Sequence, residues 1–236
     1  GRGVAVFRYH DGMCGRYTLA VPAAEVAEVL EVASLPDLTP RYNIAPSQMI
    51  LVGRLNRSGE REAAFLKWGL VPHWADDTKI GYQLINARAE TIASKPSFRD
   101  AFRKRRCLVP ADGFYEWQAR GRVKQPYRFH RADGKPFLIA GLWERRERPG
   151  EEPLESCTLI TTEANETLRR FHERMPLILD RSAAREWLTP EPLAPMIAER
   201  LLRPAPDDLL VFDAVSPRVN NPRVDDPSLI EPIPLD

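Results

Sequence analysis

The sequence predicts an α+β fold dominated by β-structure: a single domain whose antiparallel sheets form a barrel-like or sandwich-like core, with a few short helices. Apolar runs of strand length recur along the chain, each bounded by turn residues. Proline is abundant, at 22 of 236 residues against a background of about 5%, and its scatter suits short elements joined by rigid turns. Hydrophobic residues make up 43% and charged residues 28%, the balance of a globular chain with a real core.

Residues 1–12 read as an N-terminal extension, either an alternative start or a segment to be removed, and 13–236 as the domain. Val21 to Leu35 carries Pro22 at a first helical position, with Val26, Val29, Leu30 and Ala33 at helical spacing. This predicts an amphipathic helix. Strands are predicted at Met49 to Val52, Ala64 to Trp68, Cys107 to Val109, Phe137 to Leu142, Cys157 to Thr161, Leu177 to Leu179 and Leu209 to Phe212. Helices are predicted at Ser97 to Lys104, Ala164 to Phe171, Ser182 to Trp187 and Leu193 to Leu201, the third with a capping serine. The polar segments Gly53 to Glu62 and Arg145 to Glu155 read as surface connections between strands. The tail from Ser216, rich in Pro, Asn and Asp, reads as extended structure pinned to the surface.

Composition narrows the function. No run approaches the roughly 18 apolar residues of a membrane span, and GRGVAVFRYHDG lacks the apolar core of a secretory signal. A cytoplasmic, monomeric protein without membrane partners is expected. Cys14, Cys107 and Cys157 are too few and too far apart for a disulfide framework or a CxxC knuckle, and Cys107 and Cys157 sit in apolar runs as core residues. The histidines, His10, His73, His130 and His172, lack ligand spacing, so neither a metal nor another cofactor is expected. Net charge is +1, but six basic residues face one acid between Lys95 and Arg106, and seven acids face two arginines from Pro206 to Asp236. Distribution therefore matters more than the sum.

Six segments place polar and aromatic residues where a core would hold plain hydrophobics: MCGRYT from Met13, RYNIAP from Arg41, WGLVPHW from Trp68, INARAET from Ile85, VPADGFYEW from Val109 and FHERMP from Phe171. Cys14 directly follows a methionine. If the chain began at Met13 and lost it, Cys14 would carry a free α-amine beside its thiol. Near pH 7.2 such an amine is neutral for about a tenth to a quarter of the time, against roughly 0.1% for a lysine. It can attack an aldehyde, and the thiol can close the imine into a five-membered thiazolidine. Strand alternation would put Asn86, Arg88 and Glu90 on one face. Glu116 sits among aromatics, where a carboxyl tends to a raised pKa suited to proton transfer near neutrality. His172 becomes an acid or base only through its partners.

In this order the six segments resemble the SOS response-associated peptidase family, over about Met13 to Ile233. The resemblance implies a compact β-rich fold with a groove for single-stranded DNA, and covalent capture of abasic sites, whose ring-opened deoxyribose exposes an aldehyde. It implies that Cys14 is the nucleophile, Asn86 positions the amine and the sugar, Glu116 moves protons, and His172 assists those transfers or the reversal of the adduct. It also suggests DNA contacts from Arg16, Asn43, Pro46, Trp74, Arg88, Trp117, Thr161 and Arg174, which the Lys95 to Arg106 run could extend. Association with the nucleoid would follow when the protein is bound to DNA.

Two features depart from the family's pattern. Family members often follow the residue matching Trp74 with a second aromatic, and this chain has Ala75. Residues also precede Cys14, and while they are attached its nitrogen is an amide. Two other readings stay open: a cysteine peptidase using Cys14 and His172 with an orienting Asn86 or Glu116, acting mainly before Cys14 itself, and a non-catalytic module for single-stranded or modified DNA.

Overall fold

The computed structural model describes residues 14–235; the extension expected at 1–12 lies outside the described residues, as does Met13. Along the chain run β1 (Tyr17–Leu19), α1 (Ala23–Leu30), β2 (Arg41–Ile44), β3 (Met49–Leu55), β4 (Arg61–Trp68), β5 (Asn86–Arg88), α2 (Arg99–Lys104), β6 (Arg106–Ala111), β7 (Gly113–Arg120), β8 (Val123–His130), β9 (Phe137–Arg146) and β10 (Leu154–Glu163). Then come α3 (Glu166–Arg169), β11 (Arg174–Pro176), β12 (Ile178–Leu179), α4 (Arg181–Trp187), α5 (Pro195–Leu201) and β13 (Val211–Ala214). The expected β-rich single domain with few short helices is what the chain forms.

Strands β3, β4, β10, β9 and β6 close a ring, each hydrogen-bonded to the next and β6 back to β3. Closure removes the edges that an open sheet would present. β5 and β11 attach to the far end of β10, and β12 attaches to β9. A second sheet runs β13-β8-β7-β1-β2. Pairing is antiparallel as expected, except that β10 runs parallel to β4 and β5. The middle of β10, Ser156 to Thr162, is buried throughout, as a strand covered on both faces must be.

Several boundaries differ from the sequence pattern. The first helix stops at Leu30, short of the expected Leu35, and Pro22 stands at its N-cap rather than inside it. Glu31 ends it in the left-handed conformation at φ 54°. That strain in a non-glycine residue is offset by Arg61 at 2.8 Å and Arg185 at 2.6 Å on the Glu31 carboxylate. Half of the Gly53 to Glu62 segment is strand, because β3 and β4 form a hairpin up to Leu55 and from Arg61, and the connection is only residues 56–60. Asp180, not Ser182, caps α4, its carboxylate accepting from the Ala183 N–H at 2.8 Å. The tail forms two 3-10 turns, Pro217–Asn220 and Pro227–Ile230, rather than extended chain. Strands β1, β2, β7 and β8 carry so many polar residues that no apolar run marks them.

One core fills the barrel and the space under α1, α2 and α4. Tyr17 and Trp68, both fully buried, meet edge to face at 5.5 Å; full burial of a large apolar side chain is worth about 1.5–3 kcal/mol. A smaller cluster of Tyr115, Val215, Val219 and Leu229 seats the tail on the second sheet. Gly69 adopts φ 131°, and a Cβ there would lie 2.6 Å from the Gly81 carbonyl oxygen. That approach lets the chain double back, with Leu70 N–H on the Leu84 carbonyl at 3.0 Å and Trp68 Nε1 on the Ile85 carbonyl at 2.9 Å. The fold thereby delivers Asn86 to a place beside Leu159, in the middle of β10.

Candidate functional site

Cys14 lies just before β1, and Asp112 fixes where that strand goes. Its buried carboxylate accepts from the Thr18 hydroxyl and the Ala20 and Val21 N–H groups, and pairs with Arg128 at 3.1 Å. Four donors offset the cost of burying this charge. They also lock β1 against β7, so that Tyr17 stands opposite Phe114. Cys14 is thereby brought into the field of Glu116.

Cys14 is 1% exposed and Glu116 is 4% exposed. Burial pushes the Glu116 carboxyl from its ordinary 4.5 up to about 8, with the Trp117 N–H pulling weakly the other way. Burial also pushes the Cys14 thiol well up; the Glu116 carboxylate adds to this, and a backbone hydrogen bond at Arg16 opposes it. The thiol is therefore held as S–H near neutrality, and Glu116 is largely a proton donor below about pH 8 and an acceptor above it.

Asn86, at the start of β5, donates through Nδ2 to the Cys14 carbonyl at 3.5 Å and to the Leu159 carbonyl at 3.4 Å. Its Oδ1 and the Glu116 Oε1 are buried and accept no hydrogen bond among the described residues. Buried oxygens left this way are uncommon, and each asks for a donor. His172 reaches the same sheet through its neighbour. The Phe171 ring packs on Tyr127 at 4.8 Å, and Tyr127 stands directly opposite Glu116 on β8. His172 Nδ1 lies 2.9 Å from the Arg174 N–H and 3.3 Å from the Arg174 carbonyl; the tautomer that accepts the shorter bond carries its proton on Nε2.

The residues expected to touch DNA divide by exposure. Trp74 is 48% exposed, and Arg88 is exposed at the end of β5. Arg16 and Trp117 are half-buried. Arg16 donates to Asn43 Oδ1 at 3.1 Å and to the Val219 carbonyl at 2.7 Å, and Trp117 Nε1 donates to Asn220 Oδ1 at 2.7 Å. Asn43, Pro46, Thr161 and Arg174 are buried. The Asn43 amide nitrogen serves the carbonyls of Val219, Asn221 and Val224. Arg174 grips both oxygens of Glu90, at 2.8 and 2.9 Å, and donates to the Thr161 carbonyl at 2.9 Å. Asn43 and Arg174 thereby tie neighbouring segments together beneath the surface.

Two expectations need correction here. Asn86, Arg88 and Glu90 do not form one strand face, because β5 ends at Arg88 and Glu90 lies in the following turn, paired with Arg174. The Lys95 to Arg106 run is not a uniform cationic track. Arg106 is 5% exposed and donates to the carbonyls of Phe102, Arg103, Trp187, Thr189 and Glu191; burial lowers its pKa to about 10. Arg105 pairs with buried Glu144, leaving Lys95, Arg99, Arg103 and Lys104 exposed.

Residue-by-residue reading missed the supports. Asp112 lay inside a motif already singled out, but its partners Thr18 and Arg128 are distant in sequence. Asn220 lay in the Asn-Asn-Pro cluster of the tail. Glu144, 2% exposed, holds His73 Nδ1 at 2.8 Å and so sets the turn before Trp74. Nothing local marks it. No helix among the described residues is long and apolar enough to cross a membrane.

Comparison with known proteins agrees with this arrangement. Residues 13–222 match the family model described as SOS response associated peptidase (SRAP). The chain is 43% identical over 227 residues to the abasic site processing protein YoqW of Bacillus subtilis, covering 93% of this chain and 99% of that one. It is 37% identical to the abasic site processing protein HMCES of Gallus gallus, covering 83% and 67%. It is 33% identical to the abasic site processing protein YedK of Escherichia coli, covering 76% and 81%. Among solved structures, a protein from Bacteroides thetaiotaomicron superposes with a TM-score of 0.82 at 27% identity, covering 93% of this chain and 100% of that one.

Proposed function

Because the chain belongs to the SOS response-associated peptidase family, we propose that it captures abasic sites in single-stranded DNA through the amine and thiol of Cys14. The observation that carries this reading is the pair of buried, unpartnered oxygens, Asn86 Oδ1 and Glu116 Oε1, set around Cys14. A primary amine on Cys14 supplies N–H donors for both, which the amide nitrogen of a longer chain cannot do.

The chemistry follows from the proton positions. Glu116, protonated at neutral pH, donates to the ring oxygen of the sugar as the ring C–O bond breaks, and its carboxylate takes back the proton of the anomeric hydroxyl, which becomes the aldehyde oxygen. The neutral amine attacks that aldehyde carbon, and one water leaves as the imine forms. The thiol then adds across the C=N bond, forming the C–S bond while its proton passes to nitrogen, with Glu116 as the relay and His172 Nε2 as its assistant. The product is a thiazolidine, and the balance is protein plus DNA minus one water. Arg88 and Arg16 would meet phosphates, and Trp74 and Trp117 would meet unstacked bases or sugars.

The reading requires that Cys14 begin the reacting chain, either by a start at Met13 or by hydrolysis before Cys14. A general cysteine peptidase fits less well. Such enzymes work through a thiolate of depressed pKa, whereas burial and Glu116 both push the Cys14 thiol upward. A plain binding module leaves the two unpartnered oxygens beside a cysteine without a purpose.

The test mixes protein beginning at Cys14 with single-stranded DNA carrying one abasic site, then denatures it. A shifted band is expected with damaged DNA and not with intact DNA. Cys14→Ser should abolish it, because serine permits the imine but not the sulfur ring. Salt-sensitive binding with no surviving band in either protein would leave the binding module.

A further inference from the structure

The β7–β8 hairpin carries an unexplained concentration of positive charge. From Trp117 to Gln125 the chain reads Trp-Gln-Ala-Arg-Gly-Arg-Val-Lys-Gln, with three cations and no acid. Arg120 and Val123 face one another across the tip, and Gly121 turns it at φ 59°. Arg120, Arg122, Val123 and Lys124 are all exposed, Val123 by 70%. The guanidiniums of Arg120 and Arg122 make no hydrogen bond or ion pair among the described residues. Several exposed arginines elsewhere are paired, as in Arg169 with Glu166, Arg185 with Glu31 and Arg218 with Asp226.

The hairpin is a rigid continuation of the site. Strand alternation puts Arg120 on the same face as Glu116, four residues along β7. At about 3.4 Å per residue the separation is roughly 14 Å, or about four stacked nucleotides at 3.4 Å each. On the other face Ala119 stands opposite Lys124, two residues beyond Trp117. Seven residue pairs, from Phe114 with Phe129 to Arg120 with Val123, hold the arm in register with the reacting groups.

Resting on the capture reading, we propose that this hairpin is a second contact for the nucleic-acid strand: a cationic arm, with Arg120 and Arg122 as its working charges, that grips the phosphates of the flank running out on one side of the abasic nucleotide, about four nucleotides from it. The arm takes no part in the covalent step. Its charges read the backbone and not the bases, so it adds affinity without sequence preference.

The test compares the wild-type protein with Arg120→Ala/Arg122→Ala, both beginning at Cys14, on single-stranded oligonucleotides. One set is short, with two nucleotides on each side of an abasic site; two further sets add six nucleotides to the 5′ or the 3′ side. The same three lengths without damage are measured as well. Wild type should gain affinity on extension to one side only, and the variant should lose that gain. The slope of log affinity against log salt on the extended strand should fall by about 1.4, or roughly 0.7 per lost phosphate contact. Covalent yield on the short damaged strand should match, and an unchanged melting temperature should accompany both results. Equal slopes and equal length dependence in the two proteins would overturn the arm. Failure of the capture reading looks different: neither protein would form a denaturation-resistant product, while the salt slopes on undamaged strands could still differ.

Discussion

The carboxyl of Glu116 and the thiol of Cys14 are buried within each other's electrostatic reach, and the carboxylate form of Glu116 raises the proton affinity of the thiol. The two groups therefore do not ionise independently. With Glu116 pushed to about 8, the pair carries its protons near neutrality, which suits a reaction led by the amine and not by a thiolate.

The first prediction concerns rate against binding. Glu116→Gln keeps the shape and loses the proton relay. With DNA saturating, the first-order rate of adduct formation should fall by at least about 100-fold, the lower range for general acid–base catalysis, while Kd for the damaged strand shifts by no more than about threefold. The check is a quenched time course on denaturing gels beside an equilibrium binding titration. Equal losses in both would make Glu116 a structural group.

The second prediction concerns stability against pH. In the folded chain Glu116 holds its proton up to about 8, against 4.5 for the ordinary carboxyl. Between those values the native state binds more protons than the unfolded state, so this group's contribution to stability is lost as pH rises, by up to about 1.4 kcal/mol per pH unit. Glu116→Gln removes the titration. The variant should melt increasingly higher than wild type from pH 5 to about pH 8, the gap should level off above that, and it should close below pH 4.5. A gap that stays constant over that range would contradict the burial of an ionisable group at this site.

A third prediction separates support from contact. Asn43→Ala leaves the Val224 carbonyl without a donor among the described residues, while the Val219 carbonyl keeps Arg16 and the Asn221 carbonyl keeps the Val224 N–H. It should cost about 1–3 kcal/mol, lowering Tm by roughly 2–12 °C in a chain of this size, and weaken DNA binding with it. Arg16→Ala should weaken binding more than it lowers Tm. Calorimetry and a binding titration on both variants decide between the roles.

The sequence made some of this legible for reasons that are local. An acid in Phe-Tyr-Glu-Trp sits in an apolar run, so the direction of the Glu116 shift could be read in advance. Its cause is burial and not the rings of Tyr115 and Trp117, which turn to the other face of the strand. Cys107 and Cys157 sat in apolar runs and are fully buried. The barrel strands β3, β4, β6, β9 and β10 were marked by the same apolar runs, though their ends were not.

What escaped is non-local. Val-Lys-Gln-Pro-Tyr-Arg-Phe-His forms β8 because Phe129 stacks on Phe114 and Tyr127 takes the Phe171 ring, contacts that no window along the chain contains. Arg16 reaches the Val219 carbonyl, 203 residues away, so the tail's part in holding the site has no local signature. Arg106 sat in a basic run that read as surface, and only the converging carbonyls of Trp187, Thr189 and Glu191 take it inside.

The most direct test is intact mass. The chain beginning at Cys14 and the chain retaining residues 1–13 are each incubated with a single-stranded oligonucleotide bearing one abasic site, denatured and weighed. The account predicts a species at the sum of protein and DNA less one water for the first, and none for the second unless its mass also records cleavage before Cys14. Unmodified DNA beside a correctly trimmed protein, or an equal adduct on an uncleaved one, would contradict it.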